Sequence, residues 1–353
     1  MDAGIEALRT IHQTLAINEQ WTLRSGRGFT WWGHRLPQLI EAGPAVPSGE
    51  TEVFRLRSYI PLLRNVRAER AHVEKTLNGI NRLASCSAYI YDPASREVFS
   101  LQRGMVHAGT LAWRPVLLGA FFMQQLRDAE GRLDELVGLL DGEPMVSPHP
   151  VAGLRHEPDE MFSVVARYFS LHADERPGFR NRFEFDAVVN MSDGMNAYSF
   201  GATEDGLALE VPFGHQTALI LMKADAVHPL VGAGLGVYKM LPERYDEADA
   251  ARFANWLNLR ELRNPFLGEF IGAWCKAPSA DQFLVGHARF IPAALYRPGL
   301  ILDSAIVAIG HVSDANGLIH ADAPRPDVID VIERRLGRSI PKRRVADSRA
   351  SLS

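Results

Sequence analysis

Residues 88–102 (AYIYDPASREVFSLQ) and 272–286 (GAWCKAPSADQFLVG) spell one hairpin design twice in a single chain. In the first copy Ala88, Tyr89 and Ile90 run into Asp92-Pro93-Ala94-Ser95, and Val98, Phe99 and Leu101 follow. In the second, Ala273, Trp274 and Cys275 lead through Pro278-Ser279-Ala280 to Phe283, Leu284 and Val285. Proline presets φ for a turn, and Asp and Ser side chains bond nearby backbone, so each turn has a mechanism. A unit that recurs at this distance predicts a fold built twice.

The elements around the hairpins repeat as well. Ile5, Leu8, Ile11 and Leu15 share one face of an opening helix. Trp21–Leu23 and Phe29–Trp32 flank Ser25-Gly26-Arg27-Gly28 as a hairpin, and Val53–Tyr59 reads as a further strand. A charged helix over 66–83 precedes the first repeated hairpin, and a helix over 111–126, with Pro115 in its first turn, follows it. The second half offers a helix over 159–171, strands near 197–201, 207–213, 217–223 and 235–241, and a helix over 246–262. The hairpin and an apolar segment over 300–312 close it. Smaller echoes keep the same order: Trp32-Gly33-His34 with Phe213-Gly214-His215, and Leu77-Asn78 with Leu257-Asn258. The expected order is α-β-β-β-α-β-β-α, with one strand added in the second half. The fold class is α+β, two similar domains, each an antiparallel sheet packed against helices. The domains are expected over 1–140 and 159–325, joined by a Pro-, Gly- and His-rich linker over 141–158. A C-terminal helix and a disordered basic tail are expected over 326–353.

This element order, with its aromatic strands, resembles the type III secretion chaperone-like, or YbjN-like, fold. The stretch GFTWWGHRLPQLI (28–40) is similar to the aromatic strand entry of its tandem-domain actinobacterial members. The resemblance implies a peptide-binding, chaperone-like protein that holds a segment of another protein and performs no catalysis. It supplies no catalytic residues.

Motifs for chemistry are absent from the sequence. His156-Glu157 is followed by no second histidine at the spacing a zinc helix needs. VGAGLGVYK (231–239) lacks the glycine before Lys239 and the hydroxyl after it that a phosphate loop requires. Gly232, Gly234 and Gly236 are read as turn or strand-bend glycines. No Gly-x-Ser-x-Gly elbow occurs, and Ser192-Asp193-Gly194 reads as a turn. The acids Glu157/Asp159/Glu160 and Glu247/Asp249 lie at helix starts, where the dipole favours them. Cys86 and Cys275, roughly matched in the two hairpins, read as small apolar strand residues in a reducing compartment.

A net charge of -4 argues against a global electrostatic role with nucleic acid, and the basic run at 334–344 has no aromatic interleaving. No segment approaches the roughly 20 apolar residues that span a bilayer, and MDAGIEALRTIHQ has no signal-type apolar core. The expectation is therefore a cytoplasmic, non-enzymatic protein that binds a peptide or protein segment. It has no cofactor, no metal, no nucleic-acid partner and no membrane contact. Trp31, Trp32, Tyr89 and Trp274 are the candidate partner-binding residues, since Trp and Tyr carry much of the energy of interfaces; core packing is the ordinary alternative for each. A hydrolase or transferase with a site between the domains, and a scaffold subunit, are the other readings. The linked halves are expected to dock as an approximate two-fold within a monomer, because a short linker gives roughly millimolar effective concentration.

Overall fold

The first half begins with helix α1 (Ala3–Thr14), whose exposed N–H groups are met by Asp2: its carboxylate accepts from Ile5 N at 3.1 Å. Strands β1 (Thr22–Ser25), β2 (Gly28–Trp32), β3 (Pro37–Ser48) and β4 (Thr51–Arg64) follow, then α2 (Arg70–Asn81). The hairpin β5 (Ala88–Asp92) and β6 (Glu97–Val106), helix α3 (Arg114–Leu140) and the short β7 (Glu143–Pro144) complete the half. The second half runs α4 (Glu160–Ser170), β8 (Ser199–Thr203), β9 (Gly206–Phe213), β10 (Gln216–His228), β11 (Gly232–Tyr245), α5 (Glu247–Arg263), β12 (Ala273–Pro278), β13 (Phe283–Pro292) and α6 (Leu300–Ala321). This computed structural model describes residues 2–48, 51–83, 86–170, 199–203, 206–229, 231–264, 268–278 and 283–321. The expected turns at Ser192-Asp193-Gly194 and at Ser279-Ala280, and the tail over 326–353, lie outside the described residues.

The fold is α+β with two antiparallel sheets, and the two sheets share one strand order. The first is β1-β2-β3-β4-β6-β5, with β7 added beside β4; the second is β8-β9-β10-β11-β13-β12. The two hairpins at 88–102 and 272–286 therefore occupy the same end of their sheets. Ahead of the middle helix the first half holds one strand more than its sequence suggests, which makes both halves four-stranded there. Prolines hide β3. Pro37 begins it, and Gly43-Pro44 falls at the register shift between Ala42 and Ala45. Pro44 and Pro47 lie beyond Glu41, the last residue paired with β2, so their missing N–H groups break no ladder on that side. Helix α3 also runs past the expected 126, because Ala129, Leu133, Leu136 and Leu140 continue its buried face to Asp141, which ends it at φ +47°.

Residues 141–158 are laid along the first sheet. Pro144 and Glu143 pair with β4, Met145 N donates to Leu62 O at 2.8 Å, and Trp32 Nε1 donates to Ser147 O at 3.0 Å. Helix α4 then packs on α3, with Phe162 edge-on to Trp31. Gly33 permits this approach, since a Cβ there would stand 2.7 Å from Leu126 Cδ2 and 3.0 Å from Phe162 Cε1.

The halves meet through α2 and α5, and each helix carries two asparagines three residues apart on its buried face. Asn81 accepts from Tyr89 N at 2.8 Å and donates to Tyr89 O at 2.9 Å; Asn258 makes the same pair of bonds with Trp274, both 2.9 Å. The other two cross the junction. Asn255 accepts from Tyr91 N at 3.0 Å and donates to Tyr91 O at 2.9 Å, while Asn78 accepts from Lys276 N at 2.9 Å. Each amide takes the place of a neighbouring strand along β5 or β12. The backbone groups of an edge strand must find partners when buried, and these asparagines supply them. The bonds also fix the internal correspondence: Asn78 matches Asn255, Asn81 matches Asn258, and Tyr89 matches Trp274. The Leu77-Asn78/Leu257-Asn258 echo is thus one helical turn out of step. Cys275 matches Ile90, and Cys86 lies ahead of its strand. Neither cysteine is in a disulfide and both are buried, and burial pushes Cys275 up to about 12.

Replacing Asn255 by Ala strands the N–H and C=O of Tyr91 inside the junction. Asn255→Ala is expected to lower unfolding free energy by about 2–6 kcal/mol, from two buried groups at about 1–3 kcal/mol each. Urea denaturation reads this directly; a loss below about 0.5 kcal/mol would show that the bonds do not hold the edge.

Candidate functional site

All four aromatic candidates are core residues. Trp31 and Trp274 are fully enclosed, Tyr89 is 1% exposed and Trp32 6%. Trp31 meets Phe162, Trp32 lies under the 141–158 segment beside His149, and Tyr89 is held by Asn81. Both faces of β2 and β5 are covered at these positions, so the four present no surface to a partner. Trp274 touches two ionisable groups at once, with its ring edge-on to His287 at 5.3 Å and tilted on His311 at 5.0 Å.

Those histidines belong to a buried charged layer that crosses the junction. Arg103, on β6, reaches into the second half. Its guanidinium donates to Glu261 Oε2 at 2.6 Å, to Glu261 O at 3.0 Å and to Gly268 O at 2.7 Å, and its backbone exchanges bonds of 2.7 and 2.8 Å with Phe270. The other oxygen of Glu261 lies 3.0 Å from His311 Nε2. A carboxylate only accepts, so Nε2 carries the proton and Nδ1 is left as an acceptor. Lys239 Nζ donates to it from 2.6 Å and stands 3.3 Å from His287 Nδ1. A second group adjoins it. Arg289 Nη1 donates to Glu269 Oε1 at 2.7 Å, and Arg114, from α3, bonds the other oxygen of Glu269 and donates to Asp303 Oδ2 at 2.6 Å.

Burial sets the electrostatics. It brings Lys239 down to about 7, assisted by Arg289, and brings His311 down to about 4, assisted by Lys239. His287 lies well below the usual imidazole range for the same reasons. Burial alone would raise Glu261 and Glu269. Bonds and charges from His311 and Arg103 on the first, and from Arg114 and Arg289 on the second, outweigh it and leave both lowered. Lys239, the residue that ended the glycine-rich stretch, is a mid-strand residue whose glycines allow close strand contact. A Cβ on Gly234 would come within 2.2 Å of Ile291 O.

Beside this layer lies an open groove of about 330 Å³. Val46, Pro47 and Ser48 of β3, Val53 and Arg55 of β4, Met105, His107 and Thr110 form its first-half side. Asp303, Ile306 and Val307 of α6 form the other, and Arg114 lies between. Lys239, His287 and His311 do not line it. Among the described residues no group of three or more His, Cys, Asp or Glu is arranged to hold a metal ion, and no helix is long and apolar enough to cross a membrane. Of the acids noted at helix starts, Asp159 accepts from Met161 N at 3.0 Å, while Glu247 and Asp249 sit in the first turn of α5, which is capped by Asp246.

The sequence carried a signal for the charged layer. On β11, Leu235, Val237, Lys239 and Leu241 share one face, and on β13 Val285, His287, Arg289 and Ile291 share another. A lysine, a histidine and an arginine at inward positions are the anomaly. Arg103 had no such mark, because β6 is buried on both faces from Val98 to Gly104. Comparisons with protein families, with curated proteins and with solved structures found no match.

The lowered bases give stability a definite pH dependence. The preference for neutral His311 is fully present above 6.5 and lost as pH falls toward about 4; that for neutral Lys239 is fully present above 10.5 and lost as pH falls toward about 7. Unfolding free energy is therefore expected to rise from pH 5 to pH 9, by up to about 1.4 kcal/mol per pH unit for each proton taken up on unfolding. Lys239→Met should flatten the part above pH 7 and leave the acid part in place. An unchanged slope above pH 7 in that variant would contradict the assignment.

Proposed function

We propose that this protein binds a segment of another polypeptide, without catalysis, in the groove between its two halves. The observation that carries the reading is the groove's composition: apolar walls contributed by both halves, with an ion pair at its floor. The inner sheet edges are a poorer choice, since the asparagines occupy β5 and β12. The outer strands, β1 and β8, are four and five residues long, which limits strand addition. The reading agrees with what the resemblance to the type III secretion chaperone-like group implies. Two buried cysteines outside any disulfide suit a reducing, cytoplasmic setting.

One observation favours an enzyme: an amine brought near pH 7 beside two imidazoles is the kind of group that catalysis uses. Lys239 is 2% exposed and bonded to both rings, and it lies off the groove, so a substrate bound there would not touch it. The binding reading is preferred for that reason.

Ile306 is half exposed on the groove wall, whereas Val151 is 89% exposed on the 141–158 segment. Ile306→Asp is expected to weaken binding of library-selected peptides at least about tenfold, by placing a charge against an apolar contact, with little change in melting temperature. Val151→Asp should bind as the parent does. Equal affinities for the two variants, measured by fluorescence anisotropy, would remove the groove from consideration.

A further inference from the structure

Arg114 lines the groove, and it belongs to a buried cluster with Arg289, Glu269 and Ser304, outside the lining, in which hydrogen-bond donors outnumber acceptors. Arg114 and Arg289 share the two oxygens of Glu269, and neither arginine is more than 3% exposed. Arg114 Nε, both Nε and Nη2 of Arg289, and Ser304 Oγ are buried with no acceptor. Ser304 is 1% exposed and follows Asp303 in the first turns of α6, a 22-residue helix whose positive end favours an anion. Asp303 belongs to the same cluster. It bonds Arg114 at 2.6 Å, and its charge also acts on Arg289. Its side chain is 32% exposed and lines the groove, so it can turn to water while its partners stay enclosed.

We propose that the inner end of the groove is a carboxylate subsite for the C-terminus of a bound peptide, and that Asp303 occupies it in the free protein. This rests on the groove being the binding site. When Asp303 swings outward, Arg114 loses an acceptor at the groove floor, and an incoming carboxylate restores it near the start of α6. The walls above, Val46, Val53, Met105 and Ile306, suit an apolar last side chain. A volume of about 330 Å³ is at the small end of ligand pockets, which favours a chain end over a long internal stretch. Arg55 at the rim adds positive charge opposite Asp303, the one acid among the described residues of the lining.

The full-length protein would be challenged with two random octapeptide pools, one with free C-termini and one amidated, and bound peptides read by mass spectrometry. The free-acid pool should be recovered at least about tenfold better, with apolar last residues, as expected for a charge-assisted bond made in a desolvated site. Asp303→Ala should tighten the free-acid peptides several-fold by removing the competitor, and Asp303→Asn, which keeps the shape, should do so in the same direction. Ile306→Asp should lose them. Amidated peptides that bind as well as free acids, and still depend on Ile306, would overturn the carboxylate subsite and leave the groove standing. An acid preference indifferent to Ile306, or to both Asp303 variants, would overturn it too. Recovery of neither pool by any form would overturn the subsite and the groove together.

Discussion

Arg103 is the side chain that joins the two halves into one object. A guanidinium taken out of water is costly unless all its donors are met, and Arg103 meets a carboxylate and backbone carbonyls of the opposite half. These acceptors fix more than a charge. Glu261 and the carbonyl of Asn264, at 3.4 Å, belong to the end of α5, while Gly268 and Phe270 begin the approach to β12. Moving the halves by a fraction of a bond length would strand several buried groups at once. A buried ion pair of this kind adds little net stability and a great deal of registration, so the junction has one geometry.

The asparagines do the same work without charge. Sheets that stop inside a protein have edges to satisfy, and a third sheet or a partner chain is the usual solution. Here each middle helix lends one amide to its own hairpin and one to the other half's hairpin. The arrangement is reciprocal, which is how a two-fold interface looks when both copies lie in one chain. It also joins local to global structure: helix α5 cannot leave β5 without exposing the backbone of Tyr91.

Much of this was legible in residues. The repeated hairpins, the four strands of the second half and the α+β class follow from alternation and turn chemistry. Strand β3 was hidden because Pro37, Pro44 and Pro47 look like loop, and only the pairing shows that none interrupts a ladder. The register of the duplication was misjudged for a related reason. A Leu-Asn dipeptide is too short to choose between helical turns, whereas the hydrogen bonds of Asn81 and Asn258 choose at once. The four aromatic candidates failed as surface residues because bulk alone does not say which face of a strand is covered on both sides. Charge at inward positions, as at Lys239 and Arg289, is the better pointer, since burial of a charge needs a specific cause.

The correspondence between halves shows where the two copies diverged. Ser100 pairs with Tyr89 as His287 pairs with Trp274, so the layer beneath α3 and the layer beneath α6 can be compared position by position. Under α3 that layer is neutral: Gln102 donates to Gln125 at 2.9 Å, Gln125 to Ser100 at 3.1 Å, and Gln38 to Ser58 at 2.8 Å. Under α6 it is ionisable, with His287, Arg289, Lys239 and His311 in the same plan of strands. A neutral amide layer needs no counter-charge. A charged one must import counter-charges or export its surplus, and this one does both, taking Arg103 and Arg114 from the first half and reaching solvent at Asp303. The groove therefore opens where the symmetry of the fold is broken, at the one end of the charged layer that the protein leaves within reach of water.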